Sequence, residues 1–210
     1  MKDLFCIILA GGIGSRFYPL SHEDEPKQFL DFFGEKESLI QKTYNRISLF
    51  VQNKNIFVLT NSKYANLTKK HLGKIPKENI LCEPIQKNTA ASIAYGSFTI
   101  HSKNNNAKII VCPSDHLIND NLKFKNLCLK AFNYLNIQSQ IVTIGITPTS
   151  AHTGYGYIKT IKGKNNEITD VKEFKEKPDK KTAKKFLDSK TFLWNSGIFI
   201  FKSELIIQQF

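Results

Sequence analysis

The chain is short of arginine. Arg16 and Arg46 are its only two, although lysine and arginine together number 30 against 18 acidic residues and leave a formal net charge of +12. An excess of this size raises nucleic acid or an anionic membrane as a partner. Surfaces built to read phosphate favour arginine forks. Here the cations are lysines scattered among many asparagines, a compositional bias. It argues against a specific nucleic-acid reader and leaves only non-specific, salt-sensitive attraction.

Long apolar runs are missing too. No stretch approaches the roughly 20 residues of a membrane helix. The N-terminus, Met1-Lys2-Asp3-Leu4-Phe5-Cys6-Ile7-Ile8, enters a strand-like run with an early acid and no small-residue cleavage site. No membrane association and no signal peptide are therefore expected, and the location implied is cytoplasmic. The four cysteines, Cys6, Cys82, Cys112 and Cys128, form no C-x-x-C pair, and the first three sit in apolar runs. They are expected to be buried free thiols, with no zinc spacing among them.

What is present is an ordinary globular composition: 210 residues, 41% hydrophobic and 23% charged. That length fits one large domain, or one domain with a short appendage. Apolar runs at residues 5–10, 55–60, 79–83, 108–112 and 140–146 read as strands. Helical patterns fall between them, opening at Ser38, over residues 62–72 with Gly73 closing, at residues 88–101 with Asn88 or Thr89 as cap, and at 124–135. This alternation predicts an α/β fold with a mostly parallel central sheet. Beyond residue 150 the pattern changes. Residues 155–159 and 168–175 read as a strand pair around the turn Gly163-Lys164-Asn165-Asn166, followed by a helix at 180–187 and a strand at 197–201. Residues 1–150 and 151–210 are accordingly expected to form two parts. Ser203 is expected to cap a last helix of about two turns, marginal alone, which reads as a C-terminally shortened chain.

The chemistry begins at Leu9-Ala10-Gly11-Gly12-Ile13-Gly14-Ser15-Arg16. A buried strand running into a glycine-rich loop lets backbone N–H groups wrap an anion. The loop is neither a Walker sequence nor a G-x-G-x-x-G fingerprint, and a purely structural turn remains an alternative for the glycines alone. Arg16 brings a guanidinium fork suited to a triphosphate, and Lys27, in Pro26-Lys27-Gln28-Phe29-Leu30, adds a second cation. Together they can neutralise phosphates and the charge developing on a pyrophosphate leaving group. Asp115, in Pro113-Ser114-Asp115-His116, follows an apolar strand, where open α/β sheets bind ligands. A carboxylate there suits Mg²⁺, or else serves as a helix cap. His116 reads as an orienting or a catalytic group.

Residues 9–30 resemble the signature of nucleotidyltransferases that make nucleoside-diphosphate sugars. Pro19-Leu20-Ser21 and Pro26-Lys27-Gln28-Phe29-Leu30 are similar to those of the mannose-1-phosphate guanylyltransferases. Further motifs follow in the family's order: Glu83-Pro84 with Lys87-Asn88-Thr89-Ala90; Pro113-Ser114-Asp115-His116; Thr147-Pro148-Thr149 with Thr153-Gly154-Tyr155-Gly156-Tyr157-Ile158; Phe174-Lys175-Glu176-Lys177-Pro178-Asp179; and Trp194-Asn195-Ser196-Gly197-Ile198-Phe199. The resemblance covers essentially the whole chain. It implies a Rossmann-like nucleotidyltransferase fold with a smaller, β-rich, sugar-binding part, and transfer of GMP from GTP to mannose 1-phosphate with release of pyrophosphate. It implies Arg16 and Lys27 as catalytic residues. Gly11, Gly12, Gly14, Ser15, Asn88, Thr89, Ala90, Ser114 and Asp115 would bind the nucleotide. Gly154, Tyr155, Gly156, Glu176, Lys177 and Asn195 would bind the sugar phosphate, with Asp115 as ligand to Mg²⁺. Trp194 reads as packing.

Two departures stand out. His22 and Lys87 occupy positions where family members commonly carry arginine. The family also supplies a second metal-binding aspartate beyond the Trp194-Asn195-Ser196-Gly197 motif, which these 210 residues do not reach. Another nucleotide (UTP, ATP or dTTP) or hexose phosphate, and a non-catalytic nucleotide-sugar-binding relative, remain as alternatives. Homo-oligomerisation is left open.

Overall fold

The computed structural model describes residues 2–85, 87–161 and 168–210, and of Arg16 the backbone alone. The turn expected at Gly163-Lys164-Asn165-Asn166 lies outside the described residues. The chain divides into two units, residues 1–141 with 200–210, and residues 142–199.

The first unit is α/β, as the alternating pattern requires. Strands β1 (Leu4–Leu9), β2 (Ile56–Thr60), β3 (Ile80–Cys82) and β4 (Lys108–Pro113) run parallel in the order β3-β2-β1-β4. β1 and β2 are apolar nearly throughout because a central parallel strand is covered on both faces. Ile7, Ile8, Ile56, Val58 and Ile110 are fully buried.

The helices are α1 (Leu39–Ser48), α2 (Ala65–His71), α3 (Asn88–Lys103) and α4 (Asn121–Tyr134). α1 begins at the expected cap, with Gln41 Oε1 accepting from Ser38 N at 2.8 Å, half of a capping box. α3 lies close to the sheet at Gly96, where a β-carbon would meet Ile7 Cδ1 at 2.8 Å and Leu59 Cδ1 at 2.9 Å. α2 is shorter than the sequence pattern: a 3₁₀ turn at Ser62–Tyr64 precedes it, and Leu72 closes it without a left-handed Gly73. α3 departs from expectation at its start. Lys87, not Asn88 or Thr89, is the capping position, and it makes no side-chain cap; Asn88 stands at φ 65°.

The second unit is antiparallel where the first is parallel. β6 (Tyr157–Thr160) pairs with β7 (Val171–Lys175) and with β8 (Phe192–Lys202), and β5 (Val142–Ile146) pairs with β8. α5 (Lys180–Ser189) is capped by Asp179, whose side chain accepts from Thr182 N. Tyr157, Ala183 and Phe192 form a buried cluster of this unit, with Phe186 and Trp194 packed against it. β8 begins five residues earlier than the sequence pattern and includes the Trp194-Asn195-Ser196 segment. Residues 200–210 return to the first unit, where α6 (Ser203–Ile207) packs on α3. Ser203 lies inside that helix, with Lys202 at the capping position.

Among the described residues, no helix is long and apolar enough to cross a membrane.

Candidate functional site

In the first unit the chemistry gathers at the carboxyl ends of two neighbouring strands. β1 and β4 are parallel and paired up to Leu9 and Pro113, so the glycine loop after β1 and the Ser114-Asp115-His116 turn after β4 emerge side by side. This is where parallel sheets place ligands, because the strands end there and the loops spread.

The glycine loop is held from outside itself. Gln28, buried, donates from Nε2 to Ala10 O at 2.9 Å and to Gly12 O at 3.0 Å. Thr60 Oγ1 donates to Ala10 O at 3.1 Å, and Ser21 Oγ to Ile13 O at 2.8 Å. These hydrogen bonds occupy the carbonyls of Ala10, Gly12 and Ile13 and fix the course of the loop. Gly14 stands at φ 73° and opens a 3₁₀ turn, Ser15–Phe17, a conformation that side-chain-bearing residues disfavour. Gly12, by contrast, is exposed and has open space around it. Gly11 is half-buried and Ser15 exposed. The Arg16 side chain lies outside the described residues.

Lys27 passes beside Gly14 and forms an ion pair with Asp115. Its ammonium also lies 5.9 Å from the centroid of the Phe17 ring. Lys27 and Asp115 are 88 positions apart in sequence, and the fold brings them into contact with about a quarter of each side chain exposed, 27% and 23%. Ser114 is buried, and its N–H donates to Leu9 O at 3.2 Å. His116 sits beside this pair. Burial lowers its pKa from the ordinary histidine value, the charges of Arg46 and Lys27 lower it further, and Asp115 opposes them. The ring is therefore held toward its neutral form.

Asn88, Thr89 and Ala90 are exposed at the first turn of α3, where backbone N–H groups lack intrahelical partners. The turn is anchored by Ser92, whose hydroxyl lies within hydrogen-bonding reach of the Glu83 carboxylate and of Asn88 O.

In the second unit, Gly156, Glu176 and Asn195 come together. A β-carbon on Gly156 would lie 3.1 Å from Glu176 Oε2 and 3.5 Å from Asn195 Cβ, and Asn195 N donates to Gly156 O at 2.8 Å. The Asn195 side-chain oxygen accepts from Thr143 Oγ1 at 3.3 Å and Gly197 N at 3.1 Å. Glu176 and Lys177 are exposed and paired at 2.9 Å. Tyr155 stacks on His152 with centroids 4.1 Å apart and meets the Trp194 ring edge-on at 5.1 Å. His152 Nδ1 also accepts from Gly154 N at 3.0 Å. Trp194 does pack, as expected, and its indole N–H is buried without a partner among the described residues.

Sequence reasoning passed over Gln28, Ser21 and His152 as parts of these arrangements. Gln28 and Ser21 act on carbonyls up to 18 residues away. His152 gave no signal beyond its place just before Thr153-Gly154.

The model of the nucleotidyl transferase family matches residues 5–209, and the chain belongs to that family. It is 38% identical over 216 residues to a mannose-1-phosphate guanylyltransferase of Salmonella muenchen, an alignment covering 100% of this chain and 44% of the relative. The chain thus spans less than half the length of that relative. Among solved structures it is similar to a Thermus thermophilus protein described as a mannose-1-phosphate geranyltransferase, with TM-score 0.89 and 26% identity over 99% of this chain and 59% of the other. It is also similar to a Helicobacter pylori protein described as a mannose-6-phosphate isomerase, with TM-score 0.80 and 30% identity over 98% of this chain and 73% of the other.

Proposed function

We propose that the chain carries the nucleotidyl-transfer centre of a mannose-1-phosphate guanylyltransferase, which moves GMP from GTP to mannose 1-phosphate and releases pyrophosphate. The observation that carries this reading is the Lys27–Asp115 pair set beside the left-handed Gly14 at the ends of β1 and β4. The name of the Salmonella muenchen relative supports the choice of nucleotide and sugar.

The nucleotide lies on the first unit. N–H groups of Gly11, Gly12, Gly14 and Ser15 wrap the phosphates, with Ser114 behind them, and Asn88, Thr89 and Ala90 read the base. Arg16 and Lys27 hold the charge that develops on the leaving group. In the second unit, Glu176 and Asn195 take sugar hydroxyls, Lys177 takes the sugar phosphate, and Gly154, Tyr155 and Gly156 line the ring. An oxygen of the sugar phosphate attacks the α-phosphorus in line. The bond from that phosphorus to the bridging oxygen breaks, and its electrons leave with pyrophosphate. No covalent enzyme intermediate is needed, so positioning and electrostatics supply the rate.

The donor set fits Mg²⁺. Among the described residues no three His, Cys, Asp or Glu side chains gather as a closed metal cage. Mg²⁺ prefers one or two carboxylates completed by substrate phosphates and water, and the partly exposed Asp115 carboxylate offers that. When bound, the ion would neutralise phosphate charge. Lys27, which pairs with that carboxylate here, would turn toward the phosphates. A cytoplasmic location fits a reaction on GTP.

The test is pyrophosphate release by the purified chain with GTP, mannose 1-phosphate and Mg²⁺, with ATP, UTP, dTTP and glucose 1-phosphate as controls. Isomerisation of mannose 6-phosphate is assayed alongside, because the Helicobacter pylori neighbour bears that name. Selective turnover of GTP with mannose 1-phosphate is expected. Turnover of another pair reassigns the specificity, and binding without turnover points to a regulatory relative.

A further inference from the structure

Two side chains of α1 reach across to the turn that carries Asp115. Thr43 Oγ1 donates to Ser114 O at 3.2 Å, and Arg46 Nη2 donates to His116 O at 3.3 Å. Thr43 and Arg46 are three residues apart, so they share one helix face. Their acceptors are the carbonyls immediately before and after Asp115. The Arg46 Nε also donates to Asn121 Oδ1 at 2.9 Å, at the first residue of α4. The turn is thus held at both sides of Asp115 and again where it enters the next helix.

Arg46 is an unusual choice for a merely structural post. It is 5% exposed, and Thr43 is 1% exposed. Burying a guanidinium is unfavourable unless its donors are used. Here Nε and Nη2 donate to neutral oxygens, and the planar group lies 5.8 Å from the centroid of the Phe124 ring. An apolar side chain of similar volume would serve stability as well or better. A rigid fork with several fixed donors is, however, suited to setting the path of a backbone turn. Groups that orient a metal-binding carboxylate through its surroundings act in this way.

We propose that Arg46 and Thr43 are positioning residues that fix the direction of the Asp115 carboxylate, and that the cation affinity of the site depends on them. The inference rests on the reading of Asp115 as the metal-binding carboxylate. Neither residue touches the reacting atoms; both act through the carbonyls of residues 114 and 116.

The test compares the protein with its Thr43→Val, Thr43→Ser, Arg46→Met and Arg46→Lys variants. Three quantities are measured: kcat and KM for pyrophosphate release from GTP and mannose 1-phosphate, Mn²⁺ affinity in the presence of GTP by electron paramagnetic resonance, and the thermal midpoint. Thr43→Val and Arg46→Met are expected to lower both kcat and Mn²⁺ affinity by roughly 10- to 100-fold, with KM for mannose 1-phosphate unchanged. Thr43→Ser, which keeps the hydroxyl, is expected to hold wild-type values, and Arg46→Lys to recover part of the loss. Folded Thr43→Val and Arg46→Met proteins with wild-type kcat and Mn²⁺ affinity would overturn the inference, as would a Thr43→Val loss that serine does not restore. If Arg46→Met fails to fold, the valine–serine pair decides alone. A wild-type protein that takes up GTP but no Mn²⁺ overturns the metal reading of Asp115 itself, and that failure shows before any substitution is made.

Discussion

A β-carbon built on Gly14 would stand 2.8 Å from Lys27 Cγ and 2.8 Å from Ser21 Oγ. The missing side chain of one residue is what lets the Lys27 stem run past the loop to Asp115. Gly14→Ala therefore has two effects: strain at a left-handed backbone, roughly 1–2 kcal/mol, and a displaced Lys27. A fall in turnover of roughly 100-fold is expected from the displacement. Gly12→Ala, which has open space, should leave Lys27 in place and the melting temperature unchanged. Paired melting curves and pyrophosphate-release rates check the contrast.

Lys27→Ala removes the cation that faces Asp115. Loss of a charge aimed at the developing pyrophosphate should lower kcat by roughly 10²–10³-fold. Stability should change by no more than about 1 kcal/mol, because a partly solvated ion pair contributes little to folding. A protein that melts as wild type yet fails to turn over separates this from an unfolded variant. Unchanged kcat would remove Lys27 from the catalytic assignment.

Gln28 is buried, and its amide supplies hydrogen bonds to Ala10 O and Gly12 O. Gln28→Leu keeps the bulk and removes the donors; Ala10 O keeps its bond from Thr60 Oγ1, so the cost is that of a lost hydrogen bond, about 0.5–1.5 kcal/mol. Urea unfolding reads that cost. GTP affinity, measured by calorimetry, should fall as well, since the loop loses its anchor.

His71 sets a pH dependence of stability. Burial lowers its pKa below the ordinary histidine value, Lys70 lowers it further, and Glu25 opposes them. Its ring packs against Phe29 at 5.2 Å, with Nδ1 2.9 Å from Ser38 Oγ. The unfolded chain then takes the proton first. Above the unfolded value of about 6.5 the group is neutral in both states and costs nothing. As pH falls below it, stability declines until the folded pKa is passed. Urea midpoints from pH 7.5 down to 5.5 should drop less steeply in His71→Asn than in wild type.

The thiols should react in two classes. Cys6, Cys112 and Cys128 are buried, and burial pushes the Cys6 and Cys128 pKa values up, which keeps them from the reactive thiolate form. Cys82 is half-buried at the end of β3. One thiol is expected to label readily in the native protein and the other three only after unfolding, as counted by a colorimetric thiol reagent.

The sequence by itself determined the alternation of strands and helices in the first unit, since apolar runs bounded by caps and turns are local signals. It also singled out Gly14, Lys27 and Asp115, through a glycine-rich loop after an apolar run, a lysine shortly beyond it and a carboxylate at the end of another apolar run. Tertiary structure decided the rest. That Lys27 meets Asp115 depends on β1 and β4 being neighbours, a pairing of segments about a hundred residues apart. That Arg46 belongs to the Asp115 turn was hidden, because on the helix it is one cation among many; only packing buries it against His116 and Asn121. The loss of the Asn88 cap and the return of residues 200–210 to the first unit are likewise non-local. Propensity and periodicity act over a turn or a strand, whereas burial and the satisfaction of distant carbonyls are fixed only when the whole chain has packed.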